Sequence, residues 1–552
     1  MSSDLTPKSS ERSIQDHLKH YYSLLRSGED FPISSLFNYF RLLQPSLQKN
    51  LESTALDISA LNYALPRLPE CILDTKQVII AQSKDQLTSA GIDVTNWELL
   101  GSPARRRQNY FDKVTKTLVI LINSDSDTDD FINCLVSLQM ERQKTARLDQ
   151  YQLGLLQTRE DYSVLEIDES GWQKLKKILG QPTADRIISF CHQGDITVRA
   201  LPQNEQFIKD VVAAWWHKIS ISSLIFGFNE TPLYFISSNL HSLTNLIGGF
   251  VNDRQDHIIA HISKNYPEMY SQWQTLKTSP NELRVIDFLY YASSKYLKDN
   301  PAEAVAKIKY EESLGIRRLN ISSQLPCDVQ IVPVSAIAKS HFKDPNLNLP
   351  NPDRILNSQA YMLNIEYPLG FSAYYIMSTI LNSLTNLKGV YVIGKAAILS
   401  GQVGDVQIAK DVFDERTNNI FHIDNIFNSY FPFPAFQSAV LQNQKAIAVY
   451  GTYLENENQL QNYIKSGFNI IEMESGPYLT AIHQFINKQP DFATDAVATI
   501  SQPGFDLGII NYASDNPLSQ TLGDAVMSIK GVEPTYLAAL TTIQRIIDLE
   551  SA

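Results

Sequence analysis

The chain has 552 residues, 43% of them hydrophobic, and carries 59 acidic against 47 basic side chains for a net charge of −12. That length exceeds what one hydrophobic core organises, so two or three domains are expected. The acidic balance excludes an extended nucleic-acid or anionic-membrane surface, either of which needs clustered positive charge.

Four cysteines, Cys71, Cys134, Cys191 and Cys327, are far apart and form no Cys-x-x-Cys pair. Reduced, buried thiols are therefore expected, rather than a disulfide framework or a zinc knuckle. The first residues are polar, without the apolar stretch of a secretory signal, and no apolar run reaches the roughly 18 residues of a membrane span. These features predict a cytoplasmic protein.

From Ser13 to about Leu155 apolar residues recur at three- and four-residue spacing, as in Leu18, Tyr21, Tyr22 and Leu25, which predicts helices broken by Pro32, Pro45, Pro66 and Pro69. One extended piece, Thr117–Ile122, ends in Asn123-Ser-Asp-Ser-Asp-Thr-Asp-Asp130. Alternating oxygens there invite a calcium-loop reading. The central Gly and terminal Glu of such a loop are missing, so a solvated turn and helix cap is preferred. Arg105-Arg106-Arg107 could grip a phosphate, but a short basic run is more often a solvated face.

A second helix-rich region covers about Glu160 to Asn320. Its polar string Ser237–Asn245 is read as a helix start in preference to a ligand-binding turn. His257 and His261 share a helical face at i,i+4, but no third ligand is recognisable, so no metal is expected.

After Ser322 strand-like runs alternate with helical ones: Val329–Val334, Tyr361–Glu366, a helix from Phe371 to about Leu384, Val390–Ile393, Val406–Ala409, Ala446–Val449, a helix over about Asn458–Ser466, and a final helix over about Glu533–Leu549. This predicts an α/β domain whose central strands are buried on both faces. The Pro- and Asn-rich stretch Asp344–Pro352 is read as a surface loop over the crevice of that domain. The expected domains are 1–157 and 158–322, both helix-rich, and 323–552, α/β.

Two stretches carry the chemistry. Asn469-Ile-Ile-Glu-Met-Glu-Ser-Gly476 and Leu507–Leu518 are apolar runs that break into acidic and small residues, about 40 residues apart. Each reads as a buried strand whose C-terminal end delivers a carboxylate into a crevice. The plainer alternative is that Glu472 and Glu474 favour a helix start and that Asp515 is a turn residue before Pro517.

Four segments in order resemble the nucleoside phosphorylase and nucleosidase superfamily, and within it the AMP nucleosidases. They are Gly389-Val-Tyr-Val-Ile-Gly-Lys-Ala-Ala-Ile-Leu399, Val403-Gly-Asp-Val-Gln-Ile408, Gly467–Ser475 and Ser514–Leu518. The resemblance implies a mixed central sheet flanked by helices, a purine nucleotide or nucleoside as ligand, no cofactor, and a homo-oligomer. It also implies roles: Glu474 on the ribose hydroxyls, Asp515 as acid toward the departing base, Met473 under the sugar, and Tyr453 stacked on the base. Gly394 and Ser514 belong to the matching segments, and Glu472 is left as a helix-start carboxylate. Phosphorylases of this superfamily hold phosphate with a Gly-rich loop, an Arg and a Ser or Thr. Here Lys395-Ala-Ala stands after the central Gly, and Glu366-Tyr-Pro-Leu-Gly370 replaces the usual Gly-x-Gly. Lys395 is therefore a contact to a substrate phosphate or a structural lysine, with Arg354 and Arg416 as further candidates. The leading expectation is hydrolysis of an N-glycosidic bond. The alternatives are a domain that binds a nucleotide without cleaving it and, third, a phosphorylase.

Overall fold

The computed structural model describes residues 11–278, 282–319, 324–433, 438–488, 493–518 and 529–552. Between Phe31 and Ala200 the chain builds a sheet from β1 (Phe31–Pro32), β2 (Gln77–Ala81), β3 (Glu98–Ser102), β4 (Arg105–Asp112), β5 (Thr117–Leu121) and β6 (Thr197–Ala200), in the order β1-β6-β2-β5-β4-β3. At its centre β2 and β5 run parallel, and Val78–Ala81 and Leu118–Leu121 are buried. Such strands, covered on both faces, read as continuous apolar runs. The first region is thus mixed α/β rather than mostly helical. The β3–β4 hairpin escaped the sequence pattern because its strands, Glu-Leu-Leu-Gly-Ser and Arg-Arg-Arg-Gln-Asn-Tyr-Phe-Asp, are too polar to alternate.

A second sheet takes β7 (Leu233–Ser238), β8 (Arg317–Leu319), β9 (Val329–Pro333), β10 (Tyr361–Glu366), β11 (Leu387–Ile398), β12 (Val406–Asp414), β13 (Asn419–Ile423), β14 (Val440–Ala448), β15 (Ile470–Glu472), β16 (Val497–Ile500) and β17 (Asp506–Asp515). β6 pairs with β1 and β2, and β7 lies between β10 and β11, parallel to both. The expected limits at 157 and 322 therefore each fall inside a sheet-forming unit. Strand pairing divides the chain between Ala200 and Glu205 instead. β7 was missed because a six-residue run inside helical sequence carries no period of its own.

The long strands β11 and β12 change partners along their length. β12 pairs with β14 and β17, β14 with β15, β15 with β11, and β11 with β17, so these strands close into a ring. Side chains alternate across β11. Val390 and Val392 join the core under the helices Glu205–Ser222, Ser372–Ser383 and Ser475–Asn487, while Tyr391 and Ile393 join the core under Glu282–Asp299 and Ile529–Ser551. Asp344–Pro352 enters the N-terminal end of β10 and packs on the last helix, where Asn348 N donates to Gln544 Oε1 at 2.8 Å. It does not cover the carboxyl ends of the strands, as had been expected.

The first sheet's unit covers those carboxyl ends instead. Tyr453, just beyond β14, is buried in the first unit's core, where its hydroxyl donates to Ala60 O at 3.0 Å and its ring meets Tyr63 edge-on at 5.2 Å. Tyr63 in turn donates to Thr452 Oγ1 at 2.8 Å, and Arg106 pairs with Glu366 at 2.5 Å. Truncating a buried aromatic removes its transfer energy and leaves a cavity. Tyr453→Ala is expected to lower unfolding free energy by about 3–5 kcal/mol, read as an earlier chemical-denaturation midpoint.

Candidate functional site

At the end of β15 the chain turns from Glu472 through Met473 and Glu474 into the Ser475–Asn487 helix. Glu472 Oε2 accepts from the amides of Glu474 and Ser475, each at 2.7 Å, and so occupies the free donors of the helix start. Glu474 points the other way, and its Oε1 accepts from Gly370 N at 3.1 Å. It reaches the wall of a cavity of about 270 Å³ between the two units, lined also by Arg105, Arg107, Ser124, Asn123 and Tyr367. Burial pushes the Glu474 carboxyl up to about 7, against the amides of Gly370 and Met473 and the charge of Arg105, which lower it. Burial, and then the charge of Glu474, pushes Glu472 up to about 8.

The second carboxylate lies across β11. Ala397 pairs with Ile471 of β15 on one side and with Asp515 of β17 on the other. Neighbouring strands lie ~4.8 Å apart, so Ile471 and Asp515 stand about 10 Å apart with β11 between them. Ser514 Oγ is 2.9 Å from Asp515 Oδ1 and 3.0 Å from Ala396 O, which orients the end of β17. Gly394 pairs with Asn511, whose Oδ1 would stand 3.0 Å from an added Cβ. Lys395 pairs with Tyr512 and is exposed. Its ammonium is held below the ordinary lysine range by the protein packed around it, an effect opposed by Asp515 and reinforced by Arg67. Near Asp515 sits a buried carboxyl that the sequence did not single out, Glu455, and beside Glu455 the half-buried Glu415. Burial pushes Glu415 up to about 7 although it accepts from Tyr463, Gln459 and Tyr450 N.

The remaining sequence candidates separate. Met473 is half-buried and lies beside Gly370, its Cε 3.6 Å from the position of an added Cβ. Arg416 is in the crevice, but Asp129 of the first unit holds it at 2.6 Å. Tyr453 is no base-stacking partner, because the first unit's core encloses it. Arg354 is at the opposite end of β10, where its Nη1 donates to Ser551 O at 3.1 Å, so it has no part in the crevice. The arginine run is not a solvated face. Arg107, only 1% exposed, pairs with Asp127 at 2.6 Å, and Arg105 with Asp130 at 2.6 Å. Three basic residues followed by the aspartate-rich run Asn123–Asp130 were the available signal: complementary runs on adjacent elements pair rather than face water.

In the Asn123–Asp130 cluster, Ser124 caps the Asp125–Thr145 helix, while Asp127, Asp129 and Asp130 all answer arginines. His261 pairs with Asp299 at 3.0 Å. Among the described residues no group of three or more His, Cys, Asp or Glu side chains is placed to hold a metal ion, and no helix is long and apolar enough to cross a membrane. All four cysteines are free and buried. Asn239 Oδ1 accepts from the amides of His241 and Ser242, so the string Ser237–Asn245 runs from the end of β7 through this turn into the short helix Ser242–Ile247.

Residues 33–548 match a family described as "Family of unknown function (DUF6909)". The chain belongs to this family. No curated protein matches. Among solved structures, the 5′-methylthioadenosine/S-adenosylhomocysteine nucleosidase of Neisseria meningitidis, in complex with methylthio-immucillin-A, is similar at 13% identity and TM-score 0.28, covering 43% of this chain and 93% of that one. The uridine phosphorylase of Schistosoma mansoni in complex with thymidine is similar at 9% identity and TM-score 0.32, covering 59% and 90%. The 5′-methylthioadenosine nucleosidase of Arabidopsis thaliana is similar at 8% identity and TM-score 0.29, covering 58% and 96%. Likenesses of this size leave the chemistry of the crevice to be judged from its own residues.

The paired carboxyls of Glu472 and Glu474 have a measurable signature. A carboxyl whose folded pKa lies above its unfolded value stabilises the fold below the unfolded value, 4.5 for Glu, and that contribution is lost as pH rises through the folded values, about 7 and about 8. The melting temperature is expected to fall across that window. Glu472→Gln, which keeps an acceptor for the two amides, is expected to flatten the fall in melting curves recorded as a function of pH.

Proposed function

We propose that the crevice hydrolyses the N-glycosidic bond of a purine nucleotide or nucleoside. The observation that carries this reading is the placement of Glu474 and Asp515 at the ends of β15 and β17, on opposite sides of β11, the strand that holds Gly394 and Lys395. Breaking such a bond develops positive charge on the ribose, while the base leaves with the bonding pair and needs a proton or a hydrogen bond. A buried carboxylate that accepts from both ribose hydroxyls orients the sugar and favours its cationic form. Glu474 takes this role, with Met473 beneath the ring. Asp515, oriented by Ser514 on the far side of β11, is left for the base. Water attacks C1′. Its oxygen bonds to the anomeric carbon, its spare proton passes to solvent, and the base takes a proton from Asp515.

Lys395 fits a phosphate carried by the substrate, since it is exposed and no hydrogen bond or ion pair reaches it among the described residues. The close cover of the first unit favours a second reading, in which the crevice holds a nucleotide without cutting it.

Incubating the protein with AMP, adenosine and methylthioadenosine separates these readings. Release of free base is expected from at least one of them, and Asp515→Asn is expected to slow it at least about 100-fold, the size of a general-acid contribution. Tight calorimetric binding with no base released by the folded protein would leave the binding-only reading.

A further inference from the structure

Two electropositive features meet in the crevice beside Glu474. One is the start of the Ser372–Ser383 helix, where the amides of Gly370 and Phe371 are free of intrahelical partners. The other is Arg416, a guanidinium just past the end of β12, with its side chain 14% exposed. Amides at a helix start with an arginine beside them suit a small oxyanion. The two amides and the Nη2 nitrogen of Arg416 are already taken by the protein. Gly370 N donates to Glu474 Oε1 at 3.1 Å, and Phe371 N to Ser126 Oγ at 2.9 Å. Arg416 Nη2 donates to the same Ser126 Oγ at 3.0 Å and to Asp129 Oδ2 at 2.6 Å. Asp129, itself 1% exposed, also accepts from Tyr22 at 2.8 Å and from Tyr21.

The approach is as close as the chain allows. Gly370 has φ +52°, and a Cβ there would stand 2.3 Å from Ser126 Oγ. Only glycine at this turn lets the helix Asp125–Thr145 of the first unit reach the second.

We propose that Ser126 and Asp129 are built-in occupants of an anion position, and that they determine the acceptor of the reaction by shutting inorganic phosphate out. This rests on the glycosidase reading for its consequence but not for its geometry. Either acceptor would form a bond to C1′ as the C1′–N pair leaves with the base. Water gives the free pentose after losing its second proton, and phosphate gives pentose 1-phosphate. With the two helix amides and Arg416 Nη2 occupied, water is the acceptor that fits. Asp129 and Ser126 act through Arg416 and Phe371 N, so they are specificity-determining rather than catalytic residues.

Inorganic phosphate is itself the probe. Wild type in millimolar phosphate is expected to show no thermal shift and no calorimetric heat, and to release base with only free pentose as the sugar product. Asp129→Asn keeps the shape and removes the charge, and Ser126→Ala vacates the shared oxygen. At least one folded variant is expected to gain a phosphate-dependent rise in melting temperature, with pentose 1-phosphate among its products. If Asp129→Asn does not fold, Ser126→Ala carries the test. Pentose 1-phosphate from wild type, or phosphate binding by wild type that is lost in Arg416→Gln, would overturn the proposal, as would folded variants of both kinds that gain no binding. Variants that gain phosphate binding while wild type releases no base would uphold the seal and sink the glycosidase reading, so the two failures are distinguishable.

Discussion

The buried contact between Asp129 and Arg416 sets the relation of everything else. Each charge sits in low-dielectric surroundings that disfavour it alone, and each is tolerated because the other stands 2.6 Å away. Breaking one side of such a pair typically costs about 3–5 kcal/mol, since the survivor is left buried and uncompensated. One partner belongs to the first sheet's unit and the other to the second, so the cost is a penalty on separating them. Tyr21, Tyr22 and Ser126 complete the polar partners on the first unit's side, and the rings of Tyr450 and Phe371 flank the guanidinium at 4.7 and 5.9 Å. A second row of pairs, Arg105 and Arg107 with Asp127 and Asp130, stiffens the helix that delivers Asp129.

With the first unit fixed as a cap, the second supplies geometry. Closing β12, β14, β15, β11 and β17 into a ring brings the ends of β15 and β17 to the two sides of β11. Sequence separation of about 40 residues becomes a separation of two strand spacings. The ring also explains why the strands read as apolar to their last residues and then turn abruptly acidic, because both faces are covered until the chain emerges into the crevice. Burial there holds Glu472 and Glu474 close to neutral pH in their titration. A carboxyl poised in this range exchanges a proton readily.

Much of the second unit was legible. Tyr361–Glu366 coincides with β10, and the expected helix from Phe371 to about Leu384 brackets Ser372–Ser383. Long runs of period 3.6 or of continuous apolar residues carry their own signal. The first unit was far less legible, for a physical reason. Its outer strands β3 and β4 are stabilised by pairing and by buried arginines, not by alternation, and an arginine run gives the same letters whether it faces water or a row of aspartates. Tyr453 and Arg354 show the limit of placing residues by local resemblance. Tyr453 follows β14, but its ring is claimed by a core built from residues nearly 400 positions earlier. Arg354 precedes β10 and so lies at the wrong end of the sheet. Glu474 and Asp515 follow strands that the apolar runs had marked, and a strand end fixes where its next residues go.

The central claim is that Glu474 and Asp515 face one ligand across β11. It is tested most directly by determining a crystal structure of the protein with a purine nucleotide bound. The account predicts the ribose hydroxyls on Glu474 and the base toward Asp515, with Asp129 still on Arg416. A nucleotide seated elsewhere on the folded protein, with the crevice empty, would contradict it.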